Sequence, residues 1–152
     1  MKRIKQMITP DQCPVDFVTI NENQVRFTAG WVFLSTALYL LTGYWWIILF
    51  LLIDFTLRAV NRGQFSPLNL LSGLAVKILS VSYQPTDRAP KRFAAKIGMV
   101  LSFIALGLLW AGYSNFAFFL FILLMLFSFL ESVFAFCAGC LLYALIRKLS
   151  RQ

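Results

Sequence analysis

Four long apolar stretches, separated by short polar or turn-forming segments, organise the chain. A capping-box spacing, Asn21 followed three residues later by Gln24, sets the start of a first helix at Glu22. That helix is expected over about 22–41, roughly the 20 residues that a bilayer core requires. Gly43-Tyr44 is a short turn. A second helix is expected over about 45–61 and is ended by Asn61-Arg62-Gly63. A third is expected over about 91–111, with small residues Ala94, Gly98, Ser102 and Ala105 in a stripe that admits a close neighbour. Packing inside one bundle is the preferred use of that stripe, with a second copy of the chain as the alternative partner. After a turn at Gly112–Asn115, the fourth apolar run covers 116–146. Its thirty-one positions, Phe116 to Ile146, carry one charge, Glu131.

Two segments differ in pattern. Ser66-Pro67 pairs an N-cap with proline at the first helical position. Over 67–83 the polar side holds Asn69, Ser72, Gly73, Lys77 and Ser80, opposite Leu71, Leu74, Ala75, Ile78 and Leu79. That spacing predicts an amphipathic helix lying in the membrane interface. Residues 1–20 are polar and broken by Pro10 and Pro14, which predicts an extended segment at the membrane surface. The basic start lacks a following apolar h-region, so this segment is expected to stay on the mature protein. The expected fold is therefore all-α: one integral membrane four-helix bundle over 1–152, with one additional interfacial helix.

Charge orients the bundle. All fourteen Lys and Arg lie before residue 27, between Arg58 and Lys96, or after Ile146, and the turns near Gly43 and Tyr113 carry none. With four crossings the positive-inside rule puts both termini in the cytoplasm. A fifth crossing through 67–82 would place Arg88, Lys91, Arg92 and Lys96 outside, which argues against it. Tyr39, Tyr44, Trp45, Trp46, Trp110 and Tyr113 then gather at the outer interface as an aromatic belt. In a chain that is 60% hydrophobic, the net charge of +8 reads as topology rather than nucleic-acid binding. The bilayer is the first expected partner.

Candidate chemistry lies in the last run. Thirty-one residues at about 1.5 Å each exceed a core of about 30 Å, so the helix must tilt, kink or protrude. Cys137 and Cys140 sit near its inner end, one turn apart on one helical face, a spacing that allows a disulfide. Gly139 between them eases the backbone. Cys13 is expected at the same membrane face and close enough to bond with the pair. In a reducing cytosol a transient disulfide or a persulfide suits these three thiols better than a static bridge. Three thiolates without histidine would also suit Zn(II) or Cu(I), a less favoured reading. The absence of histidine removes Ser-His and Cys-His nucleophile pairs.

Charges inside a membrane are costly and are candidates for function. Asp54 and Arg58 can pair as i,i+4. Arg26 is expected to snorkel or to reach Asp54 or Asp16. Glu131 has no cation within a turn on its own helix, so it is either protonated or satisfied by another helix. Arg26, Asp54, Arg58 and Glu131 are expected to line a polar pocket open to the cytoplasm.

Cys13-Pro14-Val15-Asp16, Asn21 to Arg26, Asp54-Phe55 to Arg58, Ser66-Pro67 and Phe136-Cys137-Ala138-Gly139-Cys140 together resemble a bacterial family of small membrane proteins known only as a domain of unknown function. The resemblance implies a four-helix membrane fold in the bacterial inner membrane and carries no established activity. The architecture is also similar to vitamin K epoxide reductase-type oxidoreductases, which place a Cys-x-x-Cys on the last helix of a four-helix bundle. Here the loop between the first two helices has no cysteine pair, and the thiols face the cytoplasm, which argues against quinone-coupled disulfide formation. The expected function is thiol or sulfur redox chemistry, with Cys137 and Cys140 the reactive pair, Cys13 the resolving or transfer thiol, and a small anionic sulfur species as substrate. A cytoplasmic thioredoxin-like or sulfur-carrier protein is the expected partner. The alternative is a non-catalytic transporter or scaffold, whose polar groups line a path or hold helices together.

Overall fold

A computed structural model describes residues 18–149. Its elements run β1 (Thr19–Asn21), α1 (Glu22–Thr42), α2 (Trp45–Ala59), a 3-10 turn (Gly63–Phe65), α3 (Pro67–Ile78), β2 (Pro85–Asp87), α4 (Arg88–Trp110), α5 (Ser114–Phe134) and α6 (Ala138–Leu149). Among the described residues the fold is all-α apart from one small ladder. Three helices among the described residues, α1, α4 and α5, are long and apolar enough to cross a membrane. At 15 residues α2 is shorter than expected, about 22 Å along its axis.

The helices form two antiparallel hairpins. Gly43 (φ 72°) closes α1–α2 and Gly112 (φ 86°) closes α4–α5. Both take the left-handed conformation that commonly ends a helix and that glycine adopts without a Cβ penalty. α1 packs chiefly on α5 and α2 on α4. The small stripe on α4 serves that second contact, since a Cβ on Gly98 would stand 2.5 Å from Phe55 Cε1. Val32, Tyr39, Ile48, Leu51, Ala105 and Phe121 fill the core between the hairpins.

The far ends of the helices are tied by a ladder that the sequence reading missed. β1 pairs antiparallel with β2, Thr19 opposite Asp87 and Asn21 opposite Pro85. α1 and α4 therefore start side by side, and α4 begins three residues earlier than expected. Asn21 caps α1, accepting from the Asn23 N–H (3.1 Å) and also from the Gln84 N–H (3.3 Å). The reciprocal half of the capping box does not form, because Gln24 turns instead to Asn69, donating to its side-chain oxygen (3.0 Å).

α3 ends at Ile78, earlier than the expected 83. Its polar side faces protein: Gln24 meets Asn69, and Thr28 donates to Ser72 Oγ (2.9 Å). Leu70, Leu71, Leu74 and Ile78 are exposed instead. Polar groups satisfied against α1 with an apolar face outward is the arrangement that a hydrocarbon surrounding rewards.

The largest correction concerns the fourth apolar run, which is two helices. α5 ends at Phe134, Ala135 turns left-handed (φ 55°), and α6 begins at Ala138. The excess length expected of a single helix is absorbed by this break.

Candidate functional site

Breaking a helix inside an apolar run leaves backbone groups unpaired, and outside water each must find a partner. Ala135 N–H bonds to the Glu131 carbonyl (3.1 Å) and Phe136 N–H to that of Leu130 (3.3 Å). The next carbonyls are taken by Arg26 of α1, which donates from Nε to Ser132 (3.2 Å) and from Nη2 to Val133 (3.0 Å). A guanidinium at a helix C-terminus also meets the negative end of the dipole. Arg26 thus holds the end of α5. It does not contact Asp54, and Asp16, the other partner expected for it, lies outside the described residues.

Beyond the break, Cys137 takes the N-cap place of α6. Its carbonyl accepts from the Cys140 (3.0 Å) and Leu141 (3.1 Å) N–H groups. Its Sγ accepts from the Cys140 N–H (3.2 Å), as a serine oxygen would at an N-cap. The two sulfurs stand at disulfide distance with Cα atoms 5.1 Å apart. The pair therefore lies at a helix start rather than along one face of a long helix. A helix N-terminus favours an anionic sulfur. Gly139 has a definite reason to be glycine: its Cβ would stand 2.7 Å from Ala94 Cβ, so α6 can approach α4 only without a side chain there.

Cys137 is buried and borders a cavity of about 370 Å³ between α1, α2, α4, α5 and the start of α6. Cys140 is half-buried and does not border it. Arg58, Arg88, Lys91, Arg92 and Glu131 line the charged part of the cavity. Glu131 is satisfied by another helix, as one of its two expectations had it: Lys91 Nζ lies 2.9 Å from its Oε1. Arg58 pairs with Asp54 (Nε–Oδ2 3.0 Å) and stacks over the Phe55 ring at 4.7 Å. Its Nη2 is buried without a hydrogen-bond partner among the described residues.

Of the four residues expected to share a pocket, Arg58 and Glu131 line the cavity, whereas Asp54 and Arg26 do not. Asp54 is fully buried and works on α3: its Oδ1 accepts from Ser66 Oγ and from the Leu68 N–H (3.1 Å). A carboxylate at that helix start is favoured by the dipole and fixes the turn after α2. Cys13 lies outside the described residues, and so does its expected approach to the pair. Among the described residues no three Cys, Asp or Glu side chains gather as a metal site. Lys91, Arg88 and Arg92 were missed as cavity residues, although their spacing on the first turns of α4 puts them on one side of that helix.

Three membrane-length apolar helices among the described residues mark a membrane protein, with a cysteine pair at a helix start beside a cavity. Residues 20–148 match the family described as "Domain of unknown function (DUF4395)", and the chain belongs to that family. No curated protein and no solved structure matches it.

Proposed function

We propose that this protein is a membrane-embedded thiol–disulfide redox protein whose reactive pair is Cys137–Cys140. The observation that carries this reading is the position of Cys137, bonded-distance neighbour of Cys140, at the start of α6 and on the wall of a cation-lined cavity. A thioredoxin-like or sulfur-carrier dithiol at the cytoplasmic face reduces the Cys137–Cys140 bond, giving up two electrons and two protons and becoming a disulfide. The Cys137 thiolate then attacks a sulfur–sulfur bond in an anionic compound. That bond breaks, one half leaves as a thiolate, and the other stays on Cys137 as a mixed disulfide. Cys140 attacks Cys137 Sγ, expels the second half and closes the pair again.

In this reading α2 completes a four-helix membrane bundle in the bacterial inner membrane, with the charged end and both termini cytoplasmic. α3 lies along the inner interface. The internal partners of Asp54 and Arg26 favour a purely structural role for those two residues. A scaffold or transporter built from the same groups is the competing account, and it needs no reactive thiol. The deciding experiment traps mixed disulfides from cells carrying Cys140→Ser. A specific adduct on Cys137, absent from Cys137→Ser/Cys140→Ser, is expected. Failure of Cys137 to form any adduct, with the native pair inert to dithiothreitol in alkylation shifts, overturns the redox reading.

A further inference from the structure

The cavity changes character with depth. On α1 its lining runs from Asn21 to Val32 and on α4 from Arg88 to Leu101, about 16 and 20 Å along the axes. At the ladder end stand Arg58, Arg88, Lys91, Arg92 and Glu131. Deeper, Val32, Leu101, Leu124 and Phe127 replace them. At about 370 Å³ the space falls in the range of sites for drug-sized organic ligands, about 300–1,000 Å³. A four-atom inorganic oxyanion would leave most of it empty and the apolar floor without a partner.

The geometry points to an amphipathic organic anion as the occupant: an anionic head at the Arg58 guanidinium, and an apolar part along Val32, Leu101 and Leu124. Arg58 supplies a buried donor, Nη2, with no hydrogen-bond partner among the described residues, on a side chain held in place by Asp54 and the Phe55 ring. Leaving such a donor unmatched is costly, and a carboxylate, sulfonate or phosphate oxygen would satisfy it. Combined with the redox reading, on which the sulfur identity rests, the substrate becomes an organic sulfur anion with an apolar part rather than an inorganic one. The binding itself rests on the cavity alone.

The test separates the two. Full-length Cys137→Ser/Cys140→Ser protein, which has no redox pair, is placed in phosphatidylcholine nanodiscs and titrated with radiolabelled decanoate, with empty nanodiscs subtracted. Saturable binding of one decanoate per chain is expected, with decanol at least ten-fold weaker and sulfite unable to compete at equal concentration. Arg58→Lys keeps a charge for Asp54 but shortens the reach, and should weaken decanoate about ten-fold. Leu101→Trp, which fills the floor away from Arg58, should abolish it. Displacement by phosphatidylglycerol introduced into the discs would identify the anion as a membrane lipid; displacement only by free decanesulfonate would identify a soluble amphiphile. No saturable decanoate binding, equal binding of decanol, or full competition by sulfite overturns the inference, whatever the cysteines do.

Discussion

Gly139 of α6 lies directly against Ala94 of α4, so close that a Cβ on the glycine would stand 2.7 Å from the alanine's Cβ and 2.8 Å from its Cα. Backbone stands behind one of those contacts, so the neighbour cannot simply rotate away. Gly139→Ala should destabilise the protein by about 1–3 kcal/mol, the usual range for overpacking. It should also shift α6 and lower the fraction of Cys137–Cys140 that closes under mild oxidation. Thermal unfolding in detergent and alkylation shifts read the two effects. Ala94→Gly in the same chain should restore part of both; no rescue would mean that the contact is not the cause.

Arg26 satisfies two carbonyls at the end of α5, and charge-assisted hydrogen bonds contribute about 1.5–3 kcal/mol. Arg26→Ala should lower stability on that scale and speed hydrogen exchange selectively around 131–137. Arg26→Gln, which can serve one carbonyl, should fall between. Exchange that rises uniformly across all helices would argue against a local clamp.

Asp54 joins α2 to α3 through Ser66 and Leu68 while neutralising Arg58. Asp54→Ala leaves a buried cation unpaired, a loss of about 3–5 kcal/mol. Ser66→Ala removes an N-cap, a loss of about 1 kcal/mol. Because Asp54 and Arg58 share one network, the double replacement Asp54→Ala/Arg58→Met should be much milder than the sum of the single ones. Additive losses in unfolding measurements would show the pair to be independent.

Local signals were legible and distant ones were not. Asn21, Gly43 and Ser66-Pro67 each mark a helix end through their own backbone chemistry, and each does so in the structure. The ladder escaped because its strands are three residues long and their pairing joins Thr19 to Asp87 across nearly half of the chain. The break at Ala135 has neither glycine nor proline to announce it. Its one sign was length, since 31 residues exceed what an upright crossing uses. Arg26 was expected to seek a carboxylate, because carbonyl acceptors freed by a helix end leave no mark in a sequence. The Asp54–Arg58 pair beside the cavity was readable from its i,i+4 spacing, but Lys91 as the partner of Glu131 required knowing that α4 and α5 are neighbours.

Membrane topology is tested by reporters. Lys and Arg gather at the end where the ladder ties α1 to α4, and the turns at Gly43 and Gly112 carry no charge. A reporter active only outside the membrane should be silent when fused to residue 152. It should become active when the chain is cut after Tyr44 or Tyr113 and fused there. Strong activity at residue 152 would put the cysteine pair on the oxidising side and reverse the proposed direction of electron flow.

The two cysteines should differ in reactivity, and the difference follows from their places at the start of α6. Cys137 is 7% exposed, borders the cavity and accepts the Cys140 N–H at its sulfur. Cys140 is half-buried, outside the cavity lining, and has no such donor aimed at it among the described contacts. Access and sulfur charge therefore pull apart: bulky reagents should find Cys140 first, while small ones should favour the sulfur held at the helix N-terminus. In reduced protein, a large membrane-impermeant maleimide should label Cys137→Ser several-fold faster than Cys140→Ser. Iodoacetamide, small enough to enter the cavity, should reverse the order, and decanoate should slow it at Cys137 alone if the cavity holds the amphiphile. Moving the donor tests the cause: Cys140→Pro removes the N–H at the third helical position and should slow iodoacetamide at Cys137 by several-fold, whereas Cys140→Ala, which keeps it, should not. Equal rates in Cys140→Pro and Cys140→Ala would mean that the N–H does not control the sulfur, and the reactive role would pass to Cys140.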